Sequence, residues 1–268
     1  MKNNFPIGIF DSGVGGLTVA HAINKVLPGE SLVYFGDTAH LPYGDKSADS
    51  IKYYSIRISQ FLLQKKCKII LIACNTASSV AFETVKDFVG RNALVVNVID
   101  PVVGEVSQMK ELKRIGVIGT KGTIRSDIYS KKIKQSNPSI EVASVATPLL
   151  APMIEEGFYN NKISRTVIDS YLSRPKFNKI DLLILACTHY PLIKKEIESI
   201  YEGKVKVLDS AETVARQLRS VMTKKNLLSS AKKGKLEFYV SDYTEAFEKT
   251  TSIFFGSRIR LKKAAIWK

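Results

Sequence analysis

The chain has 268 residues, of which 45% are apolar and 24% charged, a composition typical of folded globular proteins rather than disordered ones. Its formal charge is +15, but the basic residues form short scattered clusters without interleaved aromatic side chains, so a solvated surface is favoured over a specific nucleic-acid interface. Three cysteines make a poor disulfide framework, the apolar runs are too short to cross a bilayer, and no signal-peptide pattern opens the chain. We therefore expect a cytoplasmic protein without a membrane partner.

Short β-branched runs alternate along the chain with stretches of helical periodicity. Residues 47–65 and 163–172 show the period of amphipathic helices. The runs that predict strands are residues 7–10, 32–35, 69–73, 94–99, 115–118, 142–145, 182–186 and 205–208. Because these runs are apolar on both faces and alternate with helices, they favour parallel sheets covered on both sides.

Two pairs of segments form an internal repeat. IGIFDSGVGGLT from Ile7 is echoed by IGVIGTKGTIRS from Ile115, and IILIACNTASSV from Ile69 by LLILACTHYPLI from Leu182. In both copies of the second pair, a strand ends in Ala-Cys followed by a small polar residue. Open α/β sheets bind ligands beyond the carboxyl ends of their strands. The repeat therefore predicts that two cysteines face one cleft.

The predicted fold is α/β, with two similar doubly wound parallel-sheet domains related by pseudo-symmetry and the active site in the cleft between them. The first domain would comprise residues 1–98 and 209–268, and the second residues 99–208. The chain would cross between them where a strand runs into Asp100-Pro101, and again in the DSAET segment that begins at Asp209. A helix near residues 211–225 and a strand near 236–240 would rejoin the first domain.

The cysteines differ in their surroundings. Cys74 precedes small and hydroxyl residues that suit a helix N-terminus, where backbone N–H groups would lower its pKa. Cys187 has the same setting and is followed by Thr188 and His189. A Cys–His pair also occurs in hydrolases, but no second hydrolase feature supports that interpretation. Cys67, in QKKCKII, has no polar cluster nearby and receives no role.

Two glycine-containing loops follow predicted strands. DSGVGG is expected to expose Asp11 and Ser12 to the cleft, but its glycines do not match the dinucleotide or P-loop patterns. GDTAHLPYG concentrates Asp37, Tyr43 and glycines, and such a loop can present backbone N–H groups and a phenol to a carboxylate. The cysteines and histidines lack metal-site spacing, so no metal is expected.

Five segments together resemble the glutamate racemase family, within the aspartate/glutamate racemase superfamily. They occur in family order between Ile7 and about Asp209: IGIFDSGVGGLTV, YFGDTAHLPYG, IACNTASS, IGVIGTKGTIRS and LACTHYPLI. The resemblance implies a cofactor-independent isomerase that interconverts L- and D-glutamate by a two-base 1,1-proton transfer. It also implies a role in supplying D-glutamate for bacterial peptidoglycan, and hence in cell wall biogenesis and cell shape.

The resemblance also implies roles for individual residues. Cys74 would act on D-glutamate with help from Asp11, and Cys187 on L-glutamate with help from His189 and from Glu156 in PMIEEG. The residues implied to hold the substrate are Asp11, Ser12, Tyr43, Gly44, Asn75, Thr76, Thr188 and His189, with Thr120 and Thr123 as neighbours. No cofactor is implied. A homodimer is implied, and the need for a cell-wall-precursor activator is left open.

Two other functions are compatible with parts of the sequence. An aspartate racemase, or another cysteine-using isomerase, would have the same paired thiols and a different substrate. A basic nucleic-acid-binding protein with inert cysteines would show salt-sensitive binding and no α-proton exchange. The second alternative leaves the paired Ala-Cys motifs unexplained, so the sequence favours glutamate racemisation.

Overall fold

The computed structural model describes residues 2–267, which form strands alternating with helices. The strands are β1 (Ile7–Asp11), β2 (Leu32–Gly36), β3 (Ile69–Ile72), β4 (Leu94–Asn97), β5 (Arg114–Gly119), β6 (Glu141–Ala146), β7 (Leu182–Ala186), β8 (Lys206–Asp209), β9 (Leu236–Val240) and β10 (Leu261–Lys263). The α-helices are α1 (Leu17–Val26), α2 (Ala48–Gln64), α3 (Asn75–Val89), α4 (Ile99–Ser107), α5 (Lys121–Ser126), α6 (Ile128–Ser136), α7 (Leu150–Glu155), α8 (Lys162–Leu172), α9 (Lys194–Tyr201), α10 (Ser210–Lys224) and α11 (Glu245–Phe255).

The strands form two sheets in which every pairing is parallel. The first sheet has the order β10-β9-β2-β1-β3-β4, and the second has the order β6-β5-β7-β8. The arrangement β2-β1-β3-β4 recurs as β6-β5-β7-β8, so each strand of the second sheet matches the strand four positions earlier. The predicted fold of two similar parallel-sheet halves is therefore confirmed.

The sheet memberships support the predicted division of the chain into 1–98 plus 209–268 and 99–208, which stays a proposal. β4 ends the first run of strands at Asn97, and β8 ends the second sheet at Asp209. β9 and β10 then join the first sheet beside β2. We use "first half" and "second half" for these two parts of the chain.

The prediction of a strand over residues 94–99 was two residues too long. β4 ends at Asn97, and Asn97 Oδ1 accepts hydrogen bonds from the backbone N–H groups of Ile99 and Asp100, each at 2.8 Å. These bonds satisfy two N–H groups that have no partner within the helix, so α4 begins at once. Pro101 lies in its first turn, where a missing N–H costs nothing.

The central strands are buried on both faces because each half covers its sheet with helices. Every residue of β1, β2, β3 and β7 is buried. One apolar cluster runs through both halves, since residues of α1 and α10 join it together with residues of both sheets. This shared core holds the two sets of strand ends against each other. Within residues 2–267, no helix is long and apolar enough to span a membrane.

Candidate active site

A cavity of about 210 Å³ lies between the carboxyl ends of the two sheets. Its walls follow β1, β3, β5 and β7, so equivalent strand ends from the two halves meet there, as the repeat predicts. The lining residues are Ser12, Gly13, Leu41, Pro42, Tyr43, Gly44, Cys74, Asn75, Thr76, Thr120, Ala151, Pro152, Glu155, Ala186, Cys187, Thr188 and His189. Both Ala-Cys motifs therefore place their thiols at one cavity.

Cys74 caps the N-terminus of α3. Its Sγ accepts the backbone N–H of Ala77 at 3.4 Å and donates to Ser12 Oγ over 3.7 Å. Burial raises the pKa of this thiol to about 12, and the charge of Asp11 adds to the rise, whereas the bonds from Ala77 and Ser12 oppose it. The expectation that the helix terminus lowers this pKa was wrong, because desolvation outweighs the few N–H groups. Cys74 is a protonated thiol at neutral pH.

Cys187 begins a chain of polar contacts along the cavity wall. Its Sγ lies 3.6 Å from His189 Nδ1, and His189 Nε2 lies 2.8 Å from Glu155 Oε1. Burial by itself lowers the pKa of His189, but its hydrogen bonds to Cys187 and Glu155 outweigh burial and raise that pKa well above the ordinary value. A protonated His189 therefore places a positive charge beside the Cys187 Sγ. Cys74 instead has the carboxyl of Asp11 as its charged neighbour.

The structure places Glu155, not Glu156, beside His189, which corrects the predicted assignment. Glu155 is the last residue of α7 and lines the cavity, whereas Glu156 follows the helix and is exposed. Successive residues at a helix end point in directions about 100° apart. The pair of glutamates in PMIEEG signals an acid in this region, but only the orientation of α7 selects between them.

Asp11 is fully buried behind Cys74. Its Oδ2 accepts the backbone N–H groups of Gly13 and Gly16 at 3.2 and 3.0 Å, while Oδ1 has no hydrogen-bond partner within residues 2–267. Burial raises the pKa of the carboxyl, and the charge of His189 and these N–H groups act in the opposite direction. Asp11 does not line the cavity, which corrects the expectation that the turn exposes it to the cleft. It acts on Cys74 through its charge and not through a direct hydrogen bond.

Three threonine hydroxyls join the two halves at the rim of the cavity. Thr76 Oγ1 lies 2.8 Å from Thr120 Oγ1 and 3.2 Å from Thr123 Oγ1. The two halves approach each other closely here, because a Cβ added to Gly44 would lie 2.9 Å from the Thr120 Cβ. Thr120 lines the cavity, and Thr123 lies behind it. The structure therefore brings the predicted neighbours together with Thr76.

Tyr43 lines the cavity, but its hydroxyl has another partner. The phenol donates to Asp37 Oδ2 at 2.7 Å, and Asp37 also accepts from Ser241 Oγ at 2.8 Å. Since a phenol has one proton, Tyr43 can offer a ligand only its oxygen lone pair. The predicted use of this phenol as a carboxylate donor is therefore not favoured, and the backbone N–H groups of the loop are left for that task.

The DSGVGG turn passes so close to His189 that it requires glycine. A Cβ added to Gly15 would lie 2.5 Å from His189 Nδ1 and 2.7 Å from Thr188 Oγ1. We expect Gly15→Ala to displace the imidazole and lower turnover about 100-fold, since misplacements near 1 Å have effects of this size. Steady-state kinetics would measure this. Gly104→Ala, where a Cβ meets nothing within 4 Å, is the control and should leave turnover unchanged. Equal activity of both variants would contradict the assigned role of the turn.

Sequence reasoning missed two features of this site. The apolar wall formed by Leu41, Pro42, Ala151 and Pro152 carries no chemical motif, and only the prolines in both segments hint at a rigid surface. Tyr129, whose hydroxyl donates to Asn75 Oδ1 at 2.7 Å, was also missed, because nothing near it in the sequence marks it as a neighbour of the cysteine loops.

Comparison with known proteins assigns the family. The family model described as Asp/Glu/Hydantoin racemase matches residues 12–218. The glutamate racemase of Geobacter metallireducens is 42% identical over 254 residues, which cover 94% of this chain and 93% of that protein. The glutamate racemase of Aquifex aeolicus is 41% identical, with 96% of each chain covered.

Solved structures give the same answer. The crystal structure of glutamate racemase from Francisella tularensis in complex with D-glutamate superposes with a TM-score of 0.92, at 37% identity and with 99% of each chain covered. A match of this extent includes both halves and the cavity between them. The chain therefore belongs to the glutamate racemase family, within the Asp/Glu/hydantoin racemases.

Proposed function

We propose that the protein interconverts L- and D-glutamate by a 1,1-proton transfer between Cys187 and Cys74. The observation that carries this proposal is the placement of the two thiols on equivalent strand ends at one cavity, one beside His189 and the other near Asp11. Two-base racemisation needs a base on one face of Cα and an acid on the other. Thiols supplied by the two halves of the chain match that requirement.

In the L-to-D direction, the Cys187 thiolate takes the α-proton of L-glutamate. The electron pair of the broken C–H bond stays on Cα and spreads into the carboxylate. The Cys74 thiol then gives its proton to the opposite face, which forms D-glutamate and leaves Cys74 as a thiolate. The D-to-L direction reverses each step, so the reaction needs no oxidant, reductant or cofactor.

Charged neighbours prepare each thiol for its first role. A protonated His189 places a positive charge beside the Cys187 Sγ, and Glu155 stabilises that imidazolium through its other ring nitrogen. The charge of Asp11 disfavours a thiolate at Cys74 and so keeps its proton available. Together these contacts support Cys187 as the base and Cys74 as the acid in the L-to-D direction.

The carbanion-like transition state needs stabilisation, because an α-proton is far less acidic than a thiol. No Lys or Arg occurs among the described residues that line the cavity. Hydrogen-bond donors of Asn75, Thr76, Thr188 and the surrounding backbone are therefore proposed to bind the substrate carboxylates. Dipoles held in place before the reaction stabilise developing charge strongly in a site with little water.

Glutamate is the proposed substrate because the relatives matched over nearly the whole chain are glutamate racemases, and the Francisella tularensis structure contains D-glutamate. We extend the proposal to a role in peptidoglycan synthesis, to a cytoplasmic location and to a homodimer. The need for a cell-wall-precursor activator is one outcome of the test below.

The test follows the α-proton by NMR in heavy water, with purified protein and no added cofactor. We expect L- and D-glutamate each to lose the α-proton signal, polarimetry to show the other enantiomer accumulating, and aspartate to remain unchanged. Exchange with aspartate alone would keep the mechanism and replace the substrate. No exchange in a folded protein calls for a repeat with a cell-wall precursor added. Exchange that begins only after this addition would show that the enzyme needs an activator. No exchange even after the addition would overturn the proposal.

A further inference from the structure

Asn75 has an unused hydrogen-bond donor at the cavity. It is the first residue of α3, follows Cys74 directly and lines the cavity, and its side chain is only 2% exposed. Its Nδ2 has no hydrogen-bond partner within residues 2–267. Buried amide nitrogens almost always have partners, so an unpaired one at a cavity indicates a position where a ligand accepts.

The other end of the same amide is held from the second half of the chain. Tyr129, on α6, donates its hydroxyl proton to Asn75 Oδ1 at 2.7 Å, and the ring is 3% exposed. Burial raises the pKa of Tyr129, so the phenol keeps its proton and remains a donor. This hydrogen bond crosses between the halves beside the catalytic thiols.

The phenol decides which way the amide faces. An asparagine amide has an acceptor at one end and donors at the other, and a flip exchanges them. With Tyr129 bonded to Oδ1, the NH₂ group is available to the ligand. After a flip, the phenol would meet an NH₂ group and its proton would lose the acceptor, while Oδ1 would face the substrate. An acceptor in that place repels a carboxylate, and a buried polar group without a partner is costly.

We propose that Tyr129 is a positioning residue for substrate binding, which acts through Asn75 by fixing the amide with Nδ2 as a donor to a glutamate carboxylate. This inference rests on the proposed function. Tyr129 belongs to the second half and touches no substrate. It nevertheless decides whether the first half's binding surface presents a hydrogen-bond donor or an acceptor at Asn75, which is called its polarity here. Since the bond spans the cleft, it also makes that polarity depend on how the halves are packed.

The test is Tyr129→Phe, which removes only the hydroxyl. We expect the KM of both enantiomers to rise about 3- to 10-fold, the range expected for one hydrogen bond, with kcat changed less than about 2-fold. Calorimetric titration with D-glutamate should show the same weakening of binding. Tyr201→Phe is the matched control, because the Tyr201 hydroxyl is also buried, has no hydrogen-bond partner within the described chain and lies outside the cavity lining. That variant should bind glutamate like the wild type.

A double-mutant cycle separates positioning from a general structural effect. If Tyr129 acts through Asn75, adding Tyr129→Phe to Asn75→Ala should change KM and binding no further. An equal weakening in both backgrounds would overturn the proposal, as would an unchanged KM in Tyr129→Phe alone. Thermal unfolding checks that Tyr129→Phe is folded. If it is not, Tyr129→Trp and Tyr129→His take its place. A variant whose N–H reaches Asn75 Oδ1 should bind glutamate like the wild type, and a variant whose N–H does not reach it should bind glutamate more weakly.

The two proposals fail in different ways. A wild type that binds D-glutamate without racemising it would refute the reaction while the binding cycle still tests Tyr129. A wild type that racemises glutamate, with Tyr129→Phe unaltered in KM, would refute the positioning role alone. A wild type that neither binds nor turns over glutamate, with or without an added cell-wall precursor, would overturn both.

Discussion

Replacing either cavity cysteine by alanine is expected to lower the rate of glutamate racemisation at least about 10³-fold, because each direction needs one thiol as base and the other as acid. The two variants should differ in what they retain. Cys74→Ala keeps Cys187 beside His189, so it should still exchange the α-proton of L-glutamate with solvent, without inversion. Cys187→Ala should exchange only D-glutamate. Polarimetry measures the racemisation, and NMR in heavy water measures the exchange.

The third cysteine supplies the control for these variants. Cys67 is buried and lies outside the cavity lining, so Cys67→Ala should racemise glutamate at close to the wild-type rate. Retention of racemisation in Cys74→Ala or Cys187→Ala would contradict the two-thiol mechanism. Exchange of both enantiomers by a single-thiol variant would mean that one base reaches both faces of Cα, which also contradicts it.

Alkylation by iodoacetamide at pH 8 should modify Cys74 of the free protein far more slowly than it modifies free cysteine in the same solution. Cys74 is 5% exposed, and only the thiolate form of a cysteine reacts appreciably. Burial and Asp11 raise the pKa of Cys74 to about 12, so only about one molecule in 10⁴ has a thiolate there at pH 8. We expect Cys74 to react at least about 100-fold more slowly than free cysteine, measured by mass spectrometry of the cysteine peptides.

The pH dependence of this rate follows from the sign of the shift. The pKa of Cys74 is raised, so its reaction should keep accelerating as the pH rises toward about 12. A thiol with the ordinary pKa of about 8.5 would instead reach its full rate near pH 9 to 10. A rate at Cys74 that levels off near pH 9 would refute the assigned protonated resting state of this thiol.

Much of the fold was predictable because both faces of each central strand are buried. Such strands appear in the sequence as short apolar runs, and all eight predicted runs occur as strands. The repeat predicted that β3 and β7 are equivalent, and hence that Cys74 and Cys187 share a cleft. Local hydrogen bonds to the Asn97 side chain decided where β4 ends. The strand pattern in the sequence does not show that this side chain competes with the strand for the backbone N–H groups that follow it.

The sequence by itself determined which residue types follow each strand: the paired cysteines, Asp11 and Ser12 after β1, and Asn75, Thr76, Thr188 and His189 after the cysteines. Only the tertiary structure decided their chemical states and long-range partners. It selected Glu155 over Glu156 through the orientation of α7, raised the pKa of Cys74 through burial, and brought Tyr129 to Asn75 across 54 residues of sequence. The physical reason is that a motif gives only the order of neighbouring residues along the chain, whereas desolvation and hydrogen-bond partners depend on how the two halves pack together.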